Sequence, residues 1–170
     1  LYTEASGVRT TCEDRLKTMQ NIPRIFATGI ARFYPDNGWT VGDANHKAAI
    51  QRAKTELYTF GPLVTTMAIY TSLYSGYRAS TGSTVNIYCG PAAEETTPGG
   101  YHAIQVIGWK DAVGSNGKDA SYWICLSSWG TTWPAGALGS MPGAFFVAMG
   151  KDVCDIERGM MVAYPYQVGA

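Results

Sequence analysis

The segment that most restricts the fold is a pair of apolar runs, Tyr101 to Trp109 and Ala120 to Ser127, separated by a polar loop and followed by Ser128-Trp129-Gly130. The loop, Lys110 to Asp119, carries Gly114, Asn116 and Gly117, residue types that favour turns. Two strand-like runs joined in this way predict an antiparallel hairpin. With the hairpin centred on that loop, Trp109 faces Ala120 and His102 faces Ser127. Directly paired residues share a face, so the expected register sets an imidazole beside a hydroxyl, with Trp129 two positions further on. A histidine held through one ring nitrogen is oriented for proton transfer at the other. Taken alone, a histidine at a strand end equally suits a surface or a satisfied core position.

The rest of the chain predicts a setting for such a hairpin. Asp43 and Asn45 are candidate N-caps, and Ile50, Ala53, Leu57 and Phe60 recur on one helical face until Gly61-Pro62 stops the helix. His46 falls on the polar side of that helix and is expected to be solvated. Leu63 to Tyr70, Ala144 to Met149 and Gly159 to Tyr164 are apolar enough for strands, and the segments between them are rich in Gly, Ser, Thr and Pro. This pattern implies an α+β domain, mainly antiparallel β, with one clear helix and a small barrel or curved sheet. Residues 1 to 42 are less patterned: Thr10 to Gln20 is polar, Pro23 and Pro35 interrupt any helix, and Asp36-Asn37-Gly38 signals a turn. They read as an irregular arm preceding a domain at 43 to 170.

Composition excludes several function classes. A chain of 170 residues with 46% hydrophobic and 12% aromatic content is one domain with material for a core. Thirteen basic and thirteen acidic side chains cancel, leaving no basic stripe for nucleic acid. No run approaches the roughly 18 apolar residues of a membrane-spanning helix, and no secretory signal pattern opens the chain. The sequence begins at Leu1 rather than Met, which suggests proteolytic maturation or an incomplete N-terminus from which a targeting segment is missing. No His or Cys pair has zinc-ligand spacing, no Gly-rich phosphate loop is present, and no cofactor or metal is implied. Glu94-Glu95, in the loop before His102, suits a solvated turn better than a metal or substrate contact.

Several motifs in a fixed order carry a resemblance. Gly99-Gly100-Tyr101-His102-Ala103-Ile104, Gly108-Trp109, Tyr122-Trp123, Ser127-Ser128-Trp129 and Trp133 form a central set. Glu56 to Leu63 and Tyr74-Ser75-Gly76-Tyr77 precede it, and Gly143 to Val147, Cys154-Asp155-Ile156-Glu157 and Ala163-Tyr164-Pro165 follow. This set, over roughly Lys47 to Pro165, resembles the C-terminal half of papain-like cysteine peptidases, with the cathepsin B branch the nearest. The resemblance implies the right-hand, barrel-like domain of that fold, and His102 as general base and acid in peptide-bond hydrolysis. It implies Ser127 in place of the family's orienting Asn, with Trp129 shielding the contact and Trp133 supporting it. Tyr101 puts a bulky ring before the histidine at the substrate cleft. Gly159 falls where the cathepsin B branch has an acidic residue near the S2 pocket, which predicts an open, uncharged pocket. The resemblance further implies a Cys89 to Cys154 disulfide, and with it a lysosomal, vacuolar or secreted setting. Four reduced core cysteines are the alternative; Cys125 reads as a buried thiol, and Cys12 as able to pair outside the chain.

The family's nucleophile, a Cys followed by Trp at a helix start, is absent. Cys12 precedes Glu13-Asp14, acidic neighbours that disfavour a thiolate. This chain alone is therefore expected to be inactive. Either an N-terminal peptidase-domain chain supplies the thiol and a peptide or protein substrate is cleaved across the interface, or the chain is a pseudo-peptidase used as a structural or protein-binding module. Ser127, Tyr101, Pro134 after Trp133, an insertion at Ala135 to Pro142, and Asp155 in place of a family Gly are the departures that favour the second. The arm at 1 to 42 is similar to the interdomain segment of the cathepsin B branch. The paired histidines of that branch's occluding loop are absent, so exopeptidase behaviour is not implied.

Overall fold

A computed structural model describes residues 25–33, 38–81, 84–115, 117, 119–130, 132–135 and 143–167. The first element is a strand, β1 (Ile25–Arg32), and the long helix α1 (Ala44–Phe60) follows. Asp43 caps α1: one carboxylate oxygen accepts from the His46 backbone N–H at 2.7 Å and the other from Thr40 N–H at 2.7 Å. Those same hydrogen bonds hold the Asp43 carboxyl below the usual carboxylate range. The helix ends where expected. Gly61 adopts φ 98°, a conformation costly to residues with a Cβ, and its N–H bonds Leu57 O at 3.2 Å.

Beyond α1 come β2 (Leu63–Ile69), a short helical turn α2 (Thr71–Tyr74), the small pair β3 (Ser80–Thr81) and β4 (Thr84–Val85), then β5 (Gly100–Lys110), β6 (Tyr122–Leu126), β7 (Ala144–Ala148) and β8 (Met161–Gln167). Six strands form one antiparallel sheet in the order β1-β8-β2-β5-β6-β7. The mainly antiparallel α+β reading holds, but the barrel-like closure does not form. β1 and β7 are the two edges, so the sheet stays open. The outer edge of β7 is instead met by the Tyr88 segment, through Tyr88 N–H to Phe146 O at 2.8 Å and Ala148 N–H to Tyr88 O at 3.0 Å. Backbone groups satisfied in this way have no need of β1.

The expectation of an irregular arm through residue 42 is corrected over Ile25–Arg32, which pairs with β8 along most of its length. The rest of that arm up to residue 24, Cys12 included, lies outside the described residues, as does most of the insertion read at Ala135 to Pro142. β2 alternates: Leu63, Thr65 and Met67 point inward, whereas Val64 and Thr66 are exposed. Thr65 can be buried because its hydroxyl donates to Ile156 O at 2.7 Å.

α1 lays Ile50, Ala53 and Leu57 on a core formed with Leu63, Met67, Ile104, Val106, Trp123, Cys125, Phe145 and Val147. Phe60, the fourth residue of the predicted stripe, is instead 46% exposed and packs its ring edge-on against Tyr164. Tyr122 and Phe146, on the opposite face of β6 and β7, join Ala79 in a smaller cluster. With both faces covered, every residue of β7 is buried.

Candidate active site

β5 carries His102 on the same face as Ile104 and Val106, but at its open end, where the row leaves the core. On β6, Trp123 and Cys125 face the core, and Ser127 continues that alternation just past the strand. The register differs from the expected one. Trp109 pairs with Trp123 rather than Ala120, Gln105 pairs with Leu126, and a bulge lies between Val106 and Gly108. Carried one residue on, this register sets Ser127 opposite Ile104, so His102 is its diagonal neighbour rather than its direct one. A slip of two residues preserves the face, and a diagonal neighbour lies within reach of a long side chain. His102 Nε2 and Ser127 Oγ therefore still meet, at 3.2 Å.

Aromatic rings enclose the pair. Trp129 lies nearly parallel to the imidazole, with centroids 4.4 Å apart and planes 18° apart, and its backbone N–H donates to Ser127 Oγ at 3.2 Å. Trp133 meets Trp129 edge-on at 4.6 Å and donates its Nε1–H to Tyr74 O at 2.9 Å. Burial against these rings lowers the His102 pKa below its ordinary value and favours the neutral imidazole. Beside His102 lies an open cleft of about 350 Å³, walled by Tyr70, Tyr74, Gly100, Tyr101 and Trp129. Tyr101, 69% exposed, stands at its rim. Gly159 does not line this cleft. It packs on β2 so closely that a Cβ would approach Thr65 Oγ1 to 2.7 Å. Among the described residues no hydrogen bond occupies His102 Nδ1, which leaves one basic nitrogen for chemistry if Nε2–H donates to Ser127.

The second histidine overturns its expected solvation. His46 is fully buried. Its Nδ1 accepts from Gly42 N–H at 2.8 Å, so Nε2 carries the proton and donates to Glu157 Oε2 at 2.8 Å. Glu157 also accepts from Trp123 Nε1–H at 2.9 Å, Gly150 N–H at 2.7 Å and Asp152 N–H at 2.7 Å. Asp152 in turn accepts from Glu157 N–H at 3.0 Å and from the Arg158 guanidinium, while burial pushes its carboxyl up. A clue existed in the sequence: His46 precedes Ile50 by four residues and so shares the stripe of Ile50, Ala53 and Leu57.

The remaining candidates are structural. Glu95 accepts from Ser72 N–H at 2.8 Å and Ala92 N–H at 3.0 Å, tying its loop to α2, while Glu94 is exposed. The implied Cys89–Cys154 bridge is not formed; both are free thiols, Cys89 facing Ile87 O and Cys154 hydrogen-bonded to Tyr88. The compartment expectation built on that bridge loses its basis. Burial pushes the Cys154 thiol up to about 11 and Cys125, sealed in the core, higher still, so neither is a ready thiolate. Asp155 adopts φ 63°, the left-handed region that favours glycine, so a side chain is accommodated there without opening the turn. Among the described residues no group of three or more His, Cys, Asp or Glu side chains is placed to hold a metal, and no helix is long and apolar enough to cross a membrane.

The antiparallel sheet thus presents a hydroxyl-tethered, Trp-stacked histidine at the edge of an open cleft. Residues 31–164 match the papain family of cysteine proteases, and the chain belongs to that family. A gut-specific cysteine proteinase of Caenorhabditis elegans is 28% identical over 108 residues, covering 64% of this chain and 26% of that protein. Serine-repeat antigen protein 5 of Plasmodium falciparum is 32% identical over 89 residues, covering 52% of this chain and 8% of that protein. The solved procathepsin B S9 of Trypanosoma congolense superimposes with a TM-score of 0.50 at 25% identity, over 69% of this chain and 33% of that one. The chain thus spans only a minor part of the length of each.

Proposed function

We propose that this chain contributes the histidine half of a cathepsin B-like cysteine peptidase site, with the nucleophilic thiol coming from polypeptide outside residues 1–170. The observation that carries this reading is His102 itself: tethered through Nε2 to Ser127, stacked on Trp129, and bordering a cleft with Nδ1 unoccupied among the described residues. In this function Nδ1 takes the proton of an incoming thiol, the thiolate attacks the peptide carbonyl, and the imidazolium returns the proton to the leaving amine. Water then attacks the acyl-enzyme with His102 again as base, releasing the acid and restoring the thiol. Ser127 holds the ring by a hydroxyl where the family uses an amide oxygen. A single hydroxyl already receiving the Trp129 N–H is a weaker tether.

That weaker tether, together with the raised thiols of Cys125 and Cys154, favours a second reading, a noncatalytic protein-binding module of papain fold. Labelling of the purified natural assembly with a thiol-directed, active-site-dependent peptide inhibitor separates the two. The peptidase reading expects a label on a cysteine outside this sequence, abolished by His102→Ala. No labelling, or labelling that survives His102→Ala, overturns it and leaves the scaffold reading.

A further inference from the structure

The tether between His102 and Ser127 restrains one atom of the imidazole but not its plane. A hydroxyl accepts over a wide arc, and this one also receives the Trp129 N–H at 3.2 Å. What sets the plane is the face of Trp129, 4.4 Å from the imidazole and 18° from parallel. Trp129 is in turn gripped from two sides. Trp133 meets it edge-on at 4.6 Å and is itself anchored against the buried Phe145, with centroids 5.2 Å apart. Tyr74 meets it at 5.1 Å and 89°, and the Tyr74 carbonyl holds Trp133 by a 2.9 Å hydrogen bond. One residue thus touches both tryptophans, one by its ring and one by its backbone.

Tyr74 is also held where it stands. It closes the turn α2, in which Leu73 is fully buried and the Ser72 N–H is taken by Glu95. The residue is nevertheless 57% exposed and belongs to neither core cluster. Its ring packs instead on Trp129.

We propose that Tyr74 is a positioning residue for His102, clamping Trp129 flat against the imidazole and so supplying the planar restraint that Ser127 cannot. The clamp is read from the contacts alone, whereas its value to catalysis rests on the peptidase reading above. Removing the ring frees Trp129, lets water reach the imidazole, and weakens the preference for its neutral form.

The chain holds only two histidines, so their ring-proton resonances are readily told apart, and NMR titration of His102 tests the clamp without turnover. In Tyr74→Leu, which keeps apolar bulk but loses the ring, the His102 resonances are expected to move downfield as Trp129 unstacks, and its titration to shift upward toward 6.5. The chemical shifts of His46 at fixed pH, set by a separate buried network, stay unchanged and serve as the internal control. Tyr74→Phe restores the parent spectrum, because the ring edge rather than the hydroxyl makes the contact. Tyr74→Ala repeats the Leu result more strongly; if it does not fold, the Leu and Phe variants decide. An unchanged His102 titration in Tyr74→Leu overturns the proposal, as does a His46 shift as large as that of His102, which would mean general loosening. If inhibitor labelling is absent from the natural assembly while these shifts appear, the peptidase reading fails and the clamp stands.

Discussion

The two histidines of this chain have opposite surroundings. His46 has both ring nitrogens engaged at 2.8 Å, sits fully buried, and is joined through Glu157 to four further donors and acceptors. Among the described residues His102 has one nitrogen engaged, at 3.2 Å; it is partly exposed and borders a cleft. The first has no lone pair or proton left to offer; the second does. The more elaborate hydrogen-bond network here is therefore the structural one, and the sparse one is suited to chemistry. A buried polar network is stable only when every member is satisfied, whereas a group that must take and release a proton has to keep one valence open.

The sharpest way to break this contrast is to cut the His46 network. Glu157→Ala strands the donors of His46, Trp123, Gly150 and Asp152, and is expected to cost about 3–5 kcal/mol in urea unfolding. A loss below about 1 kcal/mol would show that the network is not a framework. The next effect comes from Gly159, in the chain just after Glu157. Gly159→Ala drives a methyl into Thr65 Oγ1 at 2.7 Å and Thr66 N at 3.1 Å, with an expected loss of about 1–3 kcal/mol by the same assay.

At His102 the expected stability effects are smaller. Ser127→Ala removes one tether and is expected to slow inhibitor labelling about fivefold, equivalent to about 1 kcal/mol, with unfolding changed by less than that. Ser127→Asn, by offering an amide oxygen, is expected to restore or exceed the parent rate. The smallest effect is a pH slope. The folded-state pKa of His102 is lowered, so the unfolded chain binds the proton more readily. Its contribution is fully present above the unfolded pKa near 6.5 and is lost as pH falls from there through the folded-state pKa. The parent is thus expected to lose slightly more stability than His102→Gln between pH 7 and the acid side of that window, measured by paired urea titrations.

Much of this was legible in the residues. The period of α1, its Asp43 cap and its Gly61-Pro62 stop follow from local chemistry. So does the alternation that places His102 and Ser127 on core-facing rows of adjacent strands. The register was not legible, because the loop length between β5 and β6 does not reveal a bulge at Val106/Gly108. Nor was β1, whose Ile25–Arg32 segment has no marked alternation and is a strand by virtue of its partner β8. His46 was misplaced for a related reason. Polarity assigned it to the outer face, while the partner that permits its burial lies 111 residues away.

By itself, then, the order of residues determined the long helix, the central strands, the family and the candidate histidine, since these depend on local periodicity and on side-chain chemistry. Tertiary structure alone decided which histidine is closed and which is open, that the sheet does not close, and that Cys89 and Cys154 are free thiols. Each of these depends on whether groups distant in sequence meet at hydrogen-bond or bonding distance, and no local pattern encodes that.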